Sequence, residues 1–524
     1  MPSIRFTAGP LAALAIAVSA CASAPASGLA PASGETEPAI LAADLAHRIT
    51  FLASDSLEGR ETGSRGIEIA ADYLASEAAR LRLQPAGDAG TYFQDVPLER
   101  KATHATVTGS NADGSFSLSG EDILPVSGIG GLPLASRLSG GGPLVFGGHL
   151  VDEPLGTDEL NPEELRDAIV IVRLNPPPGV DPTTQPPRLP MATLFSPMSP
   201  AAAVLLVAEA TEADFWNYAA DVGAKGAIRL ASAGAAGGPV APPFFLISAE
   251  AAERLLGASL SESRRPRTGL GTVRYTIEEE IEQIPGRNVI AILPGRDPAR
   301  AGEFIALGAH YDHVGIGFPV DGDSIFNGAD DNASGTSVLL EVAEDLANRS
   351  ANQRPARSVL FTWFTAEESG LLGSEFLTDH PPVPRDSIVA HINMDMVGRN
   401  SPDSIFSVGS RRLSTELGDL VEAVNARQPR PFIFDFEYDA PGHPEQIYCR
   451  SDHYNFARFG IPILFLTSGL HADYHAPSDE ADLIDTDKAA RVATLVRDIV
   501  LEVADRPDRP RVDQPVPPLG MPCS

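Results

Sequence analysis

One strand–loop–helix unit in the second half of the chain constrains the fold most. Residues 304–307 (F-I-A-L) form an apolar run short enough for a buried strand, and the residues after Ser334 have the apolar spacing of a helix. The polar stretch between them, residues 308–335, therefore lies at a strand's carboxyl end and a helix's amino end. Ligands bind at such places in α/β sheets, because several strand ends converge there and a helix amino terminus offers free N–H groups.

The same alternation of strand-like and helix-like segments continues on both sides of this unit. Apolar runs at residues 288–293, 304–307 and 358–364 are separated by segments with helical patterns or by turn residues. Uninterrupted apolar strands alternating with helices are typical of parallel sheets that are covered on both faces. The sequence therefore predicts an α/β fold with a mainly parallel central sheet flanked by helices.

Composition and charge narrow the class of protein. The chain has 524 residues, of which 43% are hydrophobic and 21% are charged, an ordinary balance for a globular protein of about two to four domains. Its 39 Lys and Arg against 70 Asp and Glu give a net charge of −31, so nucleic acids and anionic lipid surfaces are poor partners. Beyond the amino terminus there is no apolar run of about 18 residues, so no membrane-spanning segment is expected there.

The amino terminus resembles a bacterial lipoprotein signal peptide over residues 1–20. Arg5 precedes a short apolar core at residues 11–18, and the core ends in V-S-A-C with Cys21 as its last residue. Cleavage before Cys21 would leave a cysteine that can carry acyl chains, whereas an ordinary secretory signal cut nearby is the alternative. Residues 21–38 are rich in Ala, Pro, Ser and Gly and are predicted to be a flexible tether. We expect an exported protein that is anchored by lipid in the bacterial outer membrane, facing the periplasm or the cell surface, with no other membrane contact.

The other two cysteines are Cys449 and Cys523. An exported protein could join them by a disulfide bond. Neither cysteine has the C-x-x-C spacing, so thiol redox chemistry and a cysteine zinc site are not expected.

Composition shifts divide the rest of the chain. Ser64 is predicted to cap a helix, and after about residue 104 short β-like runs alternate with Gly, Ser and Pro, which indicates an inserted domain. The predicted parts are the first portion of the main domain at residues 39–104, an inserted β-rich domain at 105–285, the remainder of the main domain at 286–505 and a Pro-rich tail at 506–524.

Four buried strands are each followed by residue types that bind metals. These residues are His310 and Asp312 after 304–307, with Asp330 and Asp331 before the next helix; Glu367 and Glu368 after 358–364; Asp395 after 387–392; and His475 after 461–466. Taken singly they have ordinary explanations, since carboxylates cap helices and paired glutamates occur in exposed turns. Four strand ends that all carry such residues are not expected by chance. Two imidazoles with several carboxylates suit a pair of borderline divalent ions such as zinc.

These segments resemble peptidase family M28, the co-catalytic zinc aminopeptidases and glutamate carboxypeptidases. The shared patterns are H-x-D, G-x-D-D-x-x-S-G, E-E-x-G-L-x-G-S, N-x-D-M-x-G and Y-H-x-x-x-D, within residues 284–503. The resemblance implies a zinc aminopeptidase-like, phosphorylase/hydrolase-like sandwich. Residues 105–285 are similar to the protease-associated domain of some of these peptidases, and residues 52–60 resemble the family's amino-terminal lead-in.

The resemblance also implies a metal-ligand set for two zinc ions per chain. Asp331 matches the position that bridges both ions. His310 and Asp395 would complete the site of one ion, and Glu368 and His475 would complete the site of the other.

Further positions match residues that act in the reaction. Glu367 matches the general base that takes a proton from water and returns it to the leaving amine. Tyr474 matches a position that can donate a hydrogen bond to the oxyanion, and Asp312 would orient the first imidazole. Asp330 and His313 remain outside this ligand set and are predicted to be structural or hydrogen-bonding residues.

The implied activity is hydrolysis of amino-terminal residues from peptides. A carboxypeptidase of the same fold is the nearest alternative, because the terminus preference lies in the substrate pocket rather than in the metal ligands. A single-zinc glutaminyl cyclase-like transferase and a non-catalytic receptor on the same scaffold are the other two. Counting the bound metal ions would distinguish the single-zinc transferase. The complete set of candidate ligands argues against the non-catalytic receptor.

Overall fold

A computed structural model of the chain describes residues 36–127, 137–149, 162–174, 198, 200–209, 216–217, 219–220, 223, 225–231, 242–263 and 266–516. The predicted signal peptide, Cys21 and Cys523 lie outside the described residues. Cys449 is disulfide-bonded. Within the described ranges, every helix is too short or too polar to cross a membrane.

The first sheet has nine strands among the described residues. Eight of them are, in sheet order, Gln84–Pro85, Arg287–Leu293, Ser358–Phe364, Phe304–His310, Ile388–Met394, Ile463–Thr467, Ser404–Val408 and Ile433–Asp435, and Phe93–Asp95 pairs with the second of these. The four central strands, from Ser358–Phe364 to Ile463–Thr467, run parallel, and the strand on each side of them runs antiparallel to the adjacent central strand. The predicted α/β fold with a mainly parallel centre is therefore confirmed.

Helices cover both faces of this sheet. The helices in the described residues on either side of this sheet are Ala42–Leu52, Arg65–Arg80, Gly335–Asn348, Leu372–Asp379, Thr415–Ala426, His453–Ala457 and Thr486–Asp505. Two more described helices, Pro162–Leu165 and Ala249–Leu256, pack in separate cores within residues 105–277. Alternate side chains of one central strand enter different cores, with Ile305 and Leu307 on one face and Ala306 on the other. The cap predicted at Ser64 is present, since its hydroxyl accepts the N–H of Ile67 at 3.3 Å.

The second sheet lies between residues 98 and 284. Its strands are, in sheet order, Gly114–Ser119, Leu98–Asn111, Thr272–Ile284, Ser139–His149, Ile169–Arg173, Ala203–Ala208, Phe244–Ser248 and Ile123–Pro125, with Ala227–Leu230 paired to the second. Leu98–Asn111 and Thr272–Ile284 pair antiparallel, from Leu98 opposite Ile284 to Ser110 opposite Thr272. The chain therefore leaves and re-enters the first sheet's domain at one place, and the first of these strands runs across the boundary predicted at residue 105.

Parallel strand ends of the first sheet converge on one edge. His310 is the last residue of its strand, and Asp395 directly follows Ile388–Met394. Glu367 lies three residues after Ser358–Phe364. In the chain, a two-stranded hairpin, Gly315–Val320 with Asp323–Phe326, lies between the strand that ends at His310 and the helix Gly335–Asn348. The fold thus brings metal-ligand side chains from distant parts of the sequence to one place.

Candidate metal centre

Two groups of ligand-type side chains lie at this edge and share one aspartate. Within each group, the candidate ligand atoms lie within 4.8 Å of one another. The first group is His310, Asp331 and Asp395, and the second group is His313, Asp331, Glu368 and His475. All five predicted ligands are therefore close together, and His313 joins them.

In the first group, an imidazole lies against two carboxylates. His310 Nε2 is 3.3 Å from Asp331 Oδ1 and 3.3 Å from Asp395 Oδ1. His310 Nδ1 points back into the protein, 3.2 Å from the carbonyl oxygen of Asp312 and 3.7 Å from its carboxylate. Ser451 donates a hydrogen bond to the other oxygen of Asp395 at 2.7 Å. The group's inward-facing atoms are thus one nitrogen and two carboxylate oxygens.

The second group contains two imidazoles. His475 Nε2 lies 2.9 Å from Glu368 Oε2 and 3.2 Å from Asp331 Oδ2. His313 Nδ1 lies 2.8 Å from Glu368 Oε1 and 3.8 Å from Asp331 Oδ2. Each oxygen of Glu368 therefore faces a different imidazole, while Asp331 turns one oxygen toward each group.

The pKa values reflect a strongly acidic and buried cluster. Burial alone would lower the pKa of His310, but the carboxylates of Glu367 and Asp395 raise it well above its ordinary value. Burial also opposes the upward shift in the pKa of His475, which Glu368 nevertheless raises to about 10. The cluster thus favours positive charge among its carboxylates. With donors that are imidazole nitrogen and carboxylate oxygen, it fits a pair of zinc ions.

Glu367 belongs to neither group although its neighbour Glu368 does. Its carboxylate lies 4.0 Å from His310 Nε2, and the residue is 9% exposed. Burial raises the pKa of Glu367 well above its ordinary value. The backbone N–H groups of Glu367 and Glu368 donate to the two carboxylate oxygens of Asp312, at 3.1 and 3.2 Å. Asp312 therefore fixes the turn that directs the two glutamate side chains to different places.

A pocket opens onto both groups. Besides four carboxylates of the cluster, its lining contains Met396, Tyr438, Ile447, Arg450, Phe465, Thr467, Gly469, Leu470 and Tyr474. Arg450 donates to the hydroxyl oxygen of Tyr474 at 3.3 Å. Burial raises the pKa of Tyr474, so this hydroxyl keeps its proton and can donate it to a further acceptor.

The sequence of this region matches a known family over the strands and loops just described. Residues 288–500 match peptidase family M28. These residues form an M28 peptidase domain. Every predicted ligand and the predicted base fall within it.

Named relatives match less than half of the chain. Probable leucine aminopeptidase 1 of Trichophyton verrucosum (strain HKI 0517) is 28% identical over 226 residues, covering 41% of this chain and 58% of that protein. Leupeptin-inactivating enzyme 1 of Streptomyces exfoliatus is 30% identical over 197 residues, covering 37% of this chain and 38% of that protein. This chain thus spans less than two thirds of the length of either relative.

Solved structures share the fold over a longer stretch. The aminopeptidase from Aneurinibacillus sp. strain AM-1 has a TM-score of 0.53 and 18% identity, covering 91% of this chain and 97% of that chain. The zinc aminopeptidase BSAP from Bacillus subtilis has the same TM-score and identity, with coverages of 90% and 97%. At this level of identity the likeness shows a common fold.

Behind the candidate ligands, another aspartate holds the loop that contains Asp331. The carboxylate of Asp479 accepts the N–H of Asp330 at 3.0 Å and the N–H of Asp331 at 3.1 Å. Asp330 is itself outside both metal-ligand groups, and its Oδ1 accepts the N–H of Gly398 at 2.6 Å. Asp479 is the last residue of the Y-H-x-x-x-D pattern, so the sequence marked it as a candidate functional residue. The sequence did not show that its carboxylate binds the backbone of Asp330 and Asp331.

A buried arginine ties the ligand loops to the amino-terminal segment. Arg60 is 1% exposed, and its guanidinium donates to the carbonyl oxygens of Tyr311, Asn327 and Gly328 at 2.9, 2.8 and 2.9 Å. It also donates to the carbonyl oxygen of Leu52. Arg60 ends the segment that resembles the family's lead-in, and it positions the loops on both sides of the hairpin.

Proposed function

We propose that this chain is a two-zinc exopeptidase that hydrolyses amino-terminal residues from peptides. The observation that carries this proposal is the division of Asp331 between the two groups. Its Oδ1 faces His310 at 3.3 Å, and its Oδ2 faces His475 at 3.2 Å. A carboxylate placed in this way can serve two ions at once. The aminopeptidase names of the relatives support the same reading.

The residues that would hold the ions follow from the two groups. His310 and Asp395 would hold one ion, Glu368 and His475 would hold the other, and Asp331 would be common to both. Bound zinc would polarise the scissile carbonyl and lower the pKa of a water molecule. The protein's remaining task is to move a proton and to stabilise the developing charge.

Glu367 is suited to move the proton. Its carboxylate faces the first group without belonging to it, and it is 9% exposed, so it reaches the reaction site in nearly dry surroundings. In the proposed reaction it accepts a proton from the attacking water and returns it to the nitrogen of the leaving peptide.

Tyr474 is suited to stabilise the negative charge that forms on the carbonyl oxygen. Because its hydroxyl oxygen accepts a hydrogen bond from Arg450, its own proton is directed elsewhere. A hydrogen bond from this hydroxyl to the carbonyl oxygen would strengthen as negative charge develops on that oxygen.

Peptides blocked at one end test the proposal. We expect Leu-Gly-Gly amide to be hydrolysed and its N-acetylated form to be resistant, with about two metal ions per chain by elemental analysis. Hydrolysis of the N-acetylated peptide with a free carboxylate would indicate a carboxypeptidase instead. Cyclisation of an amino-terminal glutamine with one ion per chain would indicate the transferase, and metal binding without turnover of any of these peptides would indicate a receptor.

We also propose that the protein is exported and anchored by lipid at Cys21. The V-S-A-C string behind a short apolar core supports this proposal. Cys21→Ser is expected to move the protein from the membrane fraction to the soluble fraction. The proposal would be contradicted if the wild-type protein stayed in the membrane fraction and mass spectrometry found no lipid attached to it.

A further inference from the structure

We infer that His313 is a direct ligand of the second ion, so that the two ions have different donor sets. This inference rests on the proposed two-metal function and extends it. The second position then has two imidazoles and two carboxylates, whereas the first has one imidazole and two carboxylates. His313 lies outside the ligand set that the sequence patterns imply.

The distances support direct ligation. His313 Nδ1 lies 2.8 Å from Glu368 Oε1 and 3.8 Å from Asp331 Oδ2. The corresponding distances from His475 Nε2, to Glu368 Oε2 and Asp331 Oδ2, are 2.9 and 3.2 Å. In tetrahedral zinc sites with bonds of about 2.1 Å, neighbouring donor atoms are roughly 3.4 Å apart. Both imidazoles therefore lie at distances from the carboxylates that suit a shared ion.

The surroundings hold the His313 ring in this position. Its side chain is fully buried, and its backbone N–H donates to the carbonyl oxygen of Arg60 at 3.2 Å. Gly328, in the left-handed conformation with φ +58°, lies under the ring, and a Cβ there would be 2.5 Å from Cγ and Cδ2 of His313. A glycine at this position therefore leaves the space that the imidazole fills.

The position of the His313 ring relative to Asp331 and His475 favours a ligand over a residue that only orients Glu368. An orienting imidazole needs contact with one glutamate oxygen and nothing more. His313 Nδ1 also approaches the Asp331 oxygen that His475 faces, and the two rings meet edge to face with centroids 5.6 Å apart. One candidate donor atom from each of four side chains thus lies within 4.8 Å of the other three.

Unequal donor sets predict unequal binding. Four protein donors complete a tetrahedral zinc site, as in closed sites, whereas three donors leave a position open for water or substrate. We therefore expect the first equivalent of metal to enter the position with two imidazoles. The more open first position fills second and exchanges its ion faster.

The experiment counts the nitrogen atoms bonded to each ion in the full chain. Protein with ¹⁵N-labelled histidine is stripped of metal and loaded with ¹¹³Cd²⁺ in steps. We expect the first cadmium resonance to show coupling to two nitrogens and the second resonance to show coupling to one. In His313→Gln, which retains a side-chain hydrogen-bond donor, the first resonance should couple to one nitrogen.

Zinc affinity provides a second measurement. Competition with a chelator should show a loss of about 100-fold or more at the tighter site of His313→Gln, beyond the 10- to 100-fold typical of residues that only orient a ligand. His471→Gln is the matched control, because His471 is a buried imidazole 3.4 Å from Asp330 but outside both groups. We expect it to retain both affinities.

Two contrary outcomes are distinguishable from each other. Two ions per chain, each coupled to a single histidine nitrogen, would overturn the inference and leave the proposed function intact. Two couplings on the first ion in a protein that hydrolyses no peptide would support the inference and contradict the proposed function. The wild-type coupling count decides the question even if His313→Gln does not fold.

Discussion

The two sheets of this protein share a plan but differ in how charge is balanced at their strand ends. Each contains neighbouring parallel strands that are buried and apolar. In the second sheet, Arg173 ends one strand, and Glu209 follows the adjacent strand, Ala203–Ala208. The two side chains form a bidentate pair, with Arg173 Nε and one terminal nitrogen 2.6 and 2.8 Å from the carboxylate oxygens of Glu209. The charge at this edge is satisfied within the protein.

The first sheet instead places carboxylates beside imidazoles at its strand ends. Asp331, Glu368 and Asp395 meet imidazoles rather than an arginine, and both metal-ligand groups found in the described residues lie at this sheet. An arginine is permanently charged and neutralises a carboxylate by itself, whereas a neutral imidazole adds a metal donor without adding charge. The same plan thus gives a structural ion pair in one sheet and a candidate metal centre in the other, because function depends on the site rather than on the fold.

Removing the carboxylate of Asp331, which both groups share, should have the largest effect on the difference between the two sheets, because the first sheet would lose metal binding. We expect Asp331→Asn to lose tight binding of both ions, because one amide oxygen cannot replace a carboxylate that faces two groups. Peptidase activity should fall to the level of the metal-free protein. Zinc at 100 times the Kd of a site should stabilise the wild type by about 2.7 kcal/mol against unfolding for each ion bound. The melting temperature of the variant should not respond to the same zinc concentration.

Asp330→Asn is the control for that prediction. It removes one charge from the adjacent buried aspartate, which lies outside both groups. Elemental analysis should show about two ions in this variant. Equal metal loss from both variants would contradict the special place of Asp331.

Exchanging either adjacent glutamate should separate base from ligand. We expect Glu367→Gln to lower kcat by roughly 10²- to 10⁴-fold, the usual scale for general acid–base catalysis, while metal content and KM change little. Glu368→Gln should instead lower metal affinity, because it removes a charged donor that faces both imidazoles. Steady-state kinetics and bound metal, measured on both variants, test the assignment, and metal loss from Glu367→Gln alone would reverse it.

The hydroxyl of Tyr474 should contribute less. Tyr474→Phe removes one hydrogen-bond donor at the pocket and leaves the metal ligands in place, so we expect kcat to fall by roughly 10- to 100-fold, at or below the usual effect of losing one oxyanion donor. The fall should appear in kcat rather than in KM, because the hydrogen bond strengthens as charge develops. An increase in KM with unchanged kcat would instead show that Tyr474 binds substrate.

Much of this arrangement could be predicted from local sequence. The strand Ser358–Phe364 is an uninterrupted apolar run, and the helix after Ser334 has regular apolar spacing, so both elements occur where the pattern predicts them. The predicted ligands also follow strands, and the order of the strands places those ends together. Local pattern and motif spacing are sufficient for these features.

Other features depend on contacts between distant residues. Arg60 contacts the carbonyl of Tyr311, 251 positions later, and no local pattern contains that distance. His313 follows a motif histidine by three residues, and sequence spacing does not show which way a loop side chain points. Its location beside Glu368 depends on tertiary contacts, with Gly328 against its ring and Arg60 accepting its backbone N–H. The parallel strands of the second sheet likewise depend on pairing rather than on composition.

The smallest expected effect lies in the second sheet and tests its part of the comparison. Arg173 is 10% exposed and Glu209 is 22% exposed at the side chain, so solvent screens this pair more than a fully buried one. Glu209→Gln keeps one oxygen that can accept from the arginine, and Arg173 still donates to the carbonyl oxygen of Leu260 at 3.0 Å. We therefore expect urea unfolding to show a stability loss of about 1 kcal/mol.

The control is Glu163→Gln, because Glu163 and its partner Arg166 are 75% and 59% exposed, and it should give no measurable change. Metal content and kcat should be unchanged in both variants, since neither residue belongs to either group of candidate metal ligands. A loss of zinc from Glu209→Gln would show that the second sheet supports the metal centre, and the two strand-end edges would then not be independent.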